Sequence, residues 1–331
     1  MVTQIIDGIY QLKVPIPNNP LENTNVYLVQ GDKSYTLIDT GWDSETAFNS
    51  LNRQLAEVGV GFQDISQIII THAHFDHYGL AGKIKQLSNA KIYMHQRDQE
   101  IFRTRYAVTE EYLHQAGQWF TINGVPAAML GTLHMPIRGF REAVPAQPDI
   151  LLNGDETITS GIFNLKVIWT PGHSPGHICL YEPLHKLLFS GDHILPVITP
   201  NISLSPHSDG NPLGDYLKSL LTVKNLAVAL VLPAHETVFS NLSERVDEIL
   251  HHHEMRSTEI FEVLNHNEMT AYQISNLVTW MPEQSGVNFV DLMPIAKLAA
   301  VSETLAHLKA MSIDKKVISI NHDSIVYYKD I

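Results

Sequence analysis

Four side chains able to hold a metal ion fall within six positions of this chain: His72, His74, Asp76 and His77, in the run Ile70-Thr71-His72-Ala73-His74-Phe75-Asp76-His77. Imidazole nitrogen and carboxylate oxygen suit borderline divalent cations, and a cluster of them is costly to bury without strong partners. A polar loop that happens to be histidine-rich is the bland alternative, and the rest of the chain argues against it. Val167-Ile168-Trp169-Thr170-Pro171-Gly172-His173 reads as a strand, a turn and a histidine. Leu188-Phe189-Ser190-Gly191-Asp192 reads as a strand, a turn and an aspartate, and Val231-Leu232-Pro233-Ala234-His235 as a strand, a short turn and a histidine. The first cluster itself follows Ile68-Ile69-Ile70, an apolar run expected of a strand buried on both faces. Four strands thus bring His or Asp to one edge, and in an open α/β sheet functional groups collect beyond the carboxyl ends of the strands.

The run His72-Ala73-His74-Phe75-Asp76-His77 resembles the H-x-H-x-D-H signature of the metallo-β-lactamase superfamily. His173, Asp192 and His235 match its later single-ligand motifs in order, and Asp39-Thr40-Gly41 resembles its early D-T-G turn. The resemblance covers roughly residues 5–240 and implies an αββα sandwich with metals in a groove at one edge. It also implies the ligand set: His72, His74 and His173 for a first metal, Asp76, His77 and His235 for a second, and Asp192 as the bridge. With no Cys ligand, two divalent ions are expected, zinc first and iron or manganese as alternatives. A hydroxide shared by two cations about 3.5–4 Å apart would be the nucleophile, with Asp76 and Asp192 as the catalytic carboxylates. A bridging Asp192 resembles hydroxyacylglutathione hydrolases, lactonases and phosphodiesterases more than true β-lactamases. Diiron relatives usually carry Glu where this chain has His74. The expected reaction is hydrolysis of a small-molecule ester, thioester or lactone, and a phosphodiesterase or ribonuclease is the alternative.

The elements that must position these groups are legible as alternating strands and helices. Tyr27-Leu28-Val29 and Tyr35-Thr36-Leu37-Ile38 read as strands joined by a turn at 30–33. Apolar residues at helical spacing run from Thr46 to Val58 and near Leu80 to Leu87, and Ile92-Tyr93-Met94 is a further strand. β-α-β order with short connections predicts a layered α/β domain over 1–241. Residues 97–148 break the pattern with mixed aromatic, charged and proline residues, as a helical insertion bordering the site would. There Tyr112, Trp119, Phe120 and His134 line a pocket or form the insertion's own small core. The loop 200–207 should also border the metals. Over 242–331, helical patterns at 243–264, 270–278 and 294–311 precede a hairpin of 317–320 and 325–328 around Asn321-His322-Asp323. That order resembles the winged-helix domain appended to one hydrolase branch of the superfamily.

Other chemically capable residues read as non-ligands. His177, four residues after His173, fits a supporting or packing role, His193 directly follows Asp192 and so is not expected at the same metal, and His251-His252-His253 fits a solvated helix face. Cys179, the one cysteine, sits mid-strand as a core thiol, and Asp39 is placed to orient ligands through hydrogen bonds.

Composition limits the partners. The net charge is -13 over 331 residues, and 97–148 carries five Arg and no Lys against five acids, so no basic track for a phosphate backbone exists there. Residues 242–331 hold seven Lys or Arg against thirteen Asp or Glu, and the would-be recognition helix offers only Lys297 and Lys309. A small-molecule substrate, no nucleic acid, no membrane and a homodimer contact are the expectations. The amino-terminal residues have neither a basic nor an apolar signal segment and cysteine is scarce, so a cytoplasmic protein is expected.

Overall fold

The computed structural model describes residues 2–99, 110–134, 146–206, 210–281 and 286–331; the side chains of Tyr112 and His134, and all of His207, lie outside the described residues. Strands β1 (Thr3–Ile6), β2 (Ile9–Pro15), β3 (Asn23–Gln30), β4 (Tyr35–Ile38), β5 (Ile65–Ile69), β6 (Lys91–His95) and β7 (Ile150–Leu152) pair in that order as one sheet. β1 to β4 are antiparallel and β4 to β7 parallel. A second sheet runs in the order β12 (Leu230–Pro233), β11 (Leu187–Gly191), β10 (Ile178–Glu182), β9 (Phe163–Trp169), β8 (Thr157–Ser160). Strands β1, β2, β7 and β8 are additions to the elements expected from sequence.

The two sheets stack face to face over a core that takes Tyr27, Ile38 and Ile69 from the first and Leu165, Leu180, Phe189 and Leu232 from the second. Outside the first sheet lie α1 (Glu45–Glu57), the single turn α2 (Phe75–Tyr78) and α3 (Ala81–Ser88). The Ser44 side chain caps α1 by accepting from the Ala47 amide, and Ala47, Leu51 and Leu55, spaced one turn apart, face the sheet. β5 is buried on both faces as its apolar run demands, with Ile68 toward the helices and Ile69 between the sheets. Each such side chain contributes about 1.5–3 kcal/mol of burial free energy. α6 (Pro212–Lys224) and the first half of α7 (Leu242–Leu264) cover the second sheet. The result is the αββα sandwich.

The insertion contributes α4 (Glu110–Ile122) and α5 (Ala127–Leu130), followed after the sandwich by α8 (Ala271–Ser275), α9 (Pro294–Ile313) and the hairpin β13 (Val317–His322) and β14 (Ile325–Asp330). Asp323 and Ser324, both with positive φ, form the two-residue turn of that hairpin, while Asn321 and His322, expected in the turn, pair within the strands. Phe120 from α4 is buried among Ile260, Leu264, Ile274, Val301 and Leu305, and Trp119 packs on the same cluster. Phe120 therefore belongs to a core shared with the carboxyl-terminal helices, and Trp119 both packs on that core and lines a cavity beside Leu133 and Pro206. α7 enters both cores, placing Leu242, Val246 and Ile249 under the second sheet and Ile260 and Leu264 in the shared cluster. The 251–253 histidines are a correction. His251 is exposed, but His253 is buried against Tyr216 and His307, its Nδ1 3.3 Å from His307 Nε2.

Gly172 lets the loop before His173 touch α6. Its φ is +143°, and a Cβ there would stand 2.4 Å from Tyr216 Cβ and 2.6 Å from Tyr216 Cα. Gly172→Ala should destabilise the protein by about 1–3 kcal/mol through overpacking. Chemical denaturation checks this, and a wild-type midpoint would refute the close approach.

Candidate metal centre

Strand direction explains why the capable residues converge. β4, β5 and β6 are parallel, so Asp39, the His72–His77 run and Asp98 all follow carboxyl ends on one edge. In the other sheet β9 and β11 each run antiparallel to β10, and β12 runs parallel to β11. Their carboxyl ends therefore share a direction and release His173, Asp192 and His235. The Ile178 amide donates to Thr71 O at 2.9 Å, tying the two sheets together at this edge. His74 is the N-cap of α2, which winds Asp76 and His77 back toward the strand ends.

All seven residues meet. Ligand-capable atoms of His72, His74, His173 and Asp192 lie within 4.8 Å of one another, and those of Asp76, His77 and His235 form a second such group. Asp192 stands between the groups. Its Oδ2 is 3.9 Å from His72 Nε2 and 3.5 Å from His173 Nε2. Its Oδ1 is 3.5 Å from His77 Nε2 and 3.3 Å from His235 Nε2. Asp76 Oδ2 lies 3.3 Å from His235 Nε2 and 3.6 Å from His77 Nε2.

The far side of each ring fixes which nitrogen offers its lone pair. His235 Nδ1 donates to the Asn23 carbonyl at 2.9 Å, and His173 Nδ1 to the Asn201 carbonyl at 3.0 Å. His77 Nδ1 donates to Asp39 Oδ2 at 2.8 Å, and His72 Nδ1 lies 3.1 Å from Thr71 Oγ1, which donates to the same Asp39 oxygen. A carbonyl or carboxylate only accepts, so these Nδ1 atoms carry the proton and Nε2 turns a lone pair inward. His74 presents Nδ1 instead, 3.0 Å from His173 Nε2. His72 Nε2, His77 Nε2, His235 Nε2 and Asp192 Oδ1 are buried with no hydrogen-bond partner. Buried polar atoms are seldom left so, and four of them facing one space fit divalent cations.

Burial is the leading influence on His72, Asp76, His77, His173, Asp192 and His235. It carries His72 well below the ordinary imidazole range, reinforced by His77 and His74. Burial also pulls on His77, but Asp192, Asp76 and Asp39 outweigh it and hold that ring well above the ordinary value. His235 is pushed up to about 10 against burial by Asp192 and Asp76. Asp192 is held well below the usual carboxylate range by His235 and His77, although burial opposes. Protons and cations compete for the same lone pairs, so cation affinity must fall as pH falls.

The supporting residues divide. Asp39, at φ +58°, accepts from the Thr71 amide and hydroxyl and from His77, as its position after β4 suggests. His177 stays out of the cluster: its Nδ1 lies 2.8 Å from Thr170 Oγ1, and its Nε2 accepts from the Asp192 amide at 3.1 Å. His193 is buried beside Tyr216, and Cys179 is buried with its thiol pushed up to about 12. Asp98 is the residue that sequence reasoning missed. Wholly buried, it accepts from the Ala73 amide (2.7 Å), Ser174 Oγ (2.9 Å) and the Gly176 amide (2.6 Å), clamping the His72–His74 loop to the His173 loop. Its signal was available, because like Asp39 it is an acid just past the end of a parallel strand.

A sandwich with this His/Asp cluster at its edge defines a metal-dependent hydrolase. The model of the metallo-beta-lactamase superfamily matches residues 19–235, two thirds of the chain, and the chain belongs to that superfamily. The probable metallo-hydrolase YqjP of Bacillus subtilis (strain 168) is 25% identical over 337 residues, covering 98% of each protein. A metallo-beta-lactamase family protein of Thermus thermophilus superposes with a TM-score of 0.82 at 29% identity, over 99% of this chain and 100% of that one. A beta-lactamase domain protein of Burkholderia ambifaria gives a TM-score of 0.80 at 24% identity, over 100% and 95%. The likeness thus extends beyond residue 235 through the carboxyl-terminal helices.

Asp98→Asn keeps the shape but puts a donor where three donors converge. Metal affinity or turnover should fall about 10–100-fold with circular dichroism retained. Unaltered metal affinity and turnover would sink the clamp.

Proposed function

We propose that this hydrolase acts on a small-molecule ester, thioester or lactone with two divalent ions, zinc first and iron or manganese as alternatives. The observation that carries the dinuclear reading is Asp192, whose two oxygens face two separate ligand groups. His72, His74 and His173 would hold one ion, Asp76, His77 and His235 the other, and Asp192 both, as in the hydroxyacylglutathione hydrolase type of site. When bound, such ions supply Lewis acidity and bring the pKa of water to about 7. Asp192 sets the separation of the two groups, and Asp76, at the partly open end of the cluster, is placed to orient the attacking water while ligating. Asp39, Asp98 and His177 keep the ligating atoms in place.

The same ligand set serves phosphodiesters, and charge is what favours the acyl reading. A phosphate backbone needs several cations beside the metals. The cavity against His74 and His173 carries Arg97 and, with it, the acidic Asp215. We read residues 242–331 as a winged helix, a reading supported by the α7-α8-α9-hairpin order and by the Met269–Tyr328 bridge that adds a short third strand. Its α9 buries Leu298, Val301, Leu305 and Leu308 against its neighbours, with Ile295 exposed, so it has little face to lay in a DNA groove. A packing or homodimer role fits better. Among the described residues no helix is long and apolar enough to cross a membrane. The single buried cysteine supports a cytoplasmic location.

Elemental analysis of metal-replete protein should give close to two ions per chain, and Asp192→Asn should release one and lower kcat at least about a hundredfold with the fold intact. One ion with full activity, or a fully active D192N, would refute the bridge. Turnover of thioester and lactone panels, with phosphodiesters inert, tests the substrate class. Labelled duplex DNA and structured RNA should show no sub-micromolar binding at about 50 mM salt, where phosphate contacts are strongest. Salt-sensitive tight binding would bring the nuclease reading forward.

A further inference from the structure

A cavity of about 280 Å³ opens against His74 and His173. Its volume falls just below the usual range for ligand pockets, so it suits a group of a few carbons and not a polymer. Arg97 and Asp215 stand in its wall with Ser203 and Trp169. Arg97 follows β6 and Asp215 lies in the first turn of α6, so the charges come from opposite sides of the sandwich edge.

Arg97 is mounted, not dangling. Its guanidinium lies 4.9 Å over the Trp169 ring, whose other neighbour is buried His95 at 5.3 Å with only 7° between the planes. The Trp169 Nε1 proton is donated to the Pro175 carbonyl at 2.9 Å, which fixes the ring, and the Arg97 amide donates to His95 Nδ1. A guanidinium stacked on a ring keeps its in-plane N–H groups free to bond an oxyanion edge-on. Among the described residues Arg97 has no ion pair within 4.0 Å, and neither has Asp215. A cation and an anion facing one small cavity without meeting each other leave room for something between them.

Resting on the ester-hydrolase reading, we infer that this cavity recognises the substrate by a single carboxylate, paired edge-on by Arg97, while Asp215 excludes a second negative charge. The substrate is then a monoanionic acyl compound, its reacting carbonyl at the ligand cluster and its carboxylate a few carbons away beside Arg97. The same pair of charges explains why a polyanion is a poor fit. A backbone of successive phosphates would bring its second charge against Asp215.

The test compares two 4-nitrophenyl esters of equal length on the metal-loaded enzyme, the hydrogen glutarate and the pentanoate. The wild type should prefer the glutarate, and Arg97→Gln should lower the kcat/KM ratio of glutarate to pentanoate at least about tenfold, mainly through KM, as loss of a charge-assisted bond predicts. Asp215→Asn should tighten inhibition by tricarballylate relative to the monoanion glutaramate. Equal losses on both esters, or no loss on either, would overturn the inference while leaving the hydrolase reading intact, and unaltered tricarballylate inhibition would overturn the role of Asp215. A binding readout separates the two failures. Glutaramate, a monoanion of the same length, should change Trp169 emission saturably, with W169F as the blank, and R97Q should need at least about tenfold more. That response in a protein that cleaves neither ester would keep the pocket and discard the ester chemistry.

Discussion

One carboxylate stands where five imidazoles turn their lone pairs inward, and the structure around it is a scaffold for that arrangement. Asp192 is buried, charged, and 3.3–3.9 Å from four histidine nitrogens that share no hydrogen bond with it. Uncompensated, such a site is strongly unfavourable. The sandwich tolerates it because His72, His77, His173 and His235 are each bonded on the outer nitrogen and the supporting acids Asp39 and Asp98 have their own donors. The cost is therefore concentrated at the inner atoms, where divalent cations would offset it. The parallel strand ends, the clamp at Asp98 and the glycine contact at Tyr216 all hold these inner atoms together against that cost.

The cluster was legible in the sequence because the same short pattern, strand then turn then ligand, occurs four times. Each instance is weak alone, but a shared strand direction makes them one site. The buried strand at 68–70 and the helix at 46–58 were legible for the usual reason, that apolar spacing reports which face is covered. Edge strands β1 and β8 were not, since half-exposed segments such as Thr157–Ser160 carry little apolar signal. Asp98 was hidden beside Arg97, which does face water, and only its place after β6 distinguishes it.

Two other misreadings have plain physical causes. Three consecutive helical residues point about 100° apart, so a triple-histidine tract cannot share one environment. His253 faces Tyr216 and His307 while His251 faces solvent. The partner of the insertion was invisible because Phe120 meets residues from Ile260 onward, more than a hundred positions away. Local pattern can say that an aromatic residue needs burial, but not which distant surface supplies it.

That distant contact bears on how such a chain can change over generations. With Phe120 and Val125 set among Ile260, Ile274 and Val301, and α7 crossing from one core to the other, the insertion and the carboxyl-terminal unit are halves of a single packing problem. Neither half can be exchanged with a cousin's version on its own, because the graft would present the wrong knobs to the remaining holes. The two segments should be inherited as a matched pair, their substitutions correlated across the gap between them, while the ligand-bearing sandwich is free to keep its own pace.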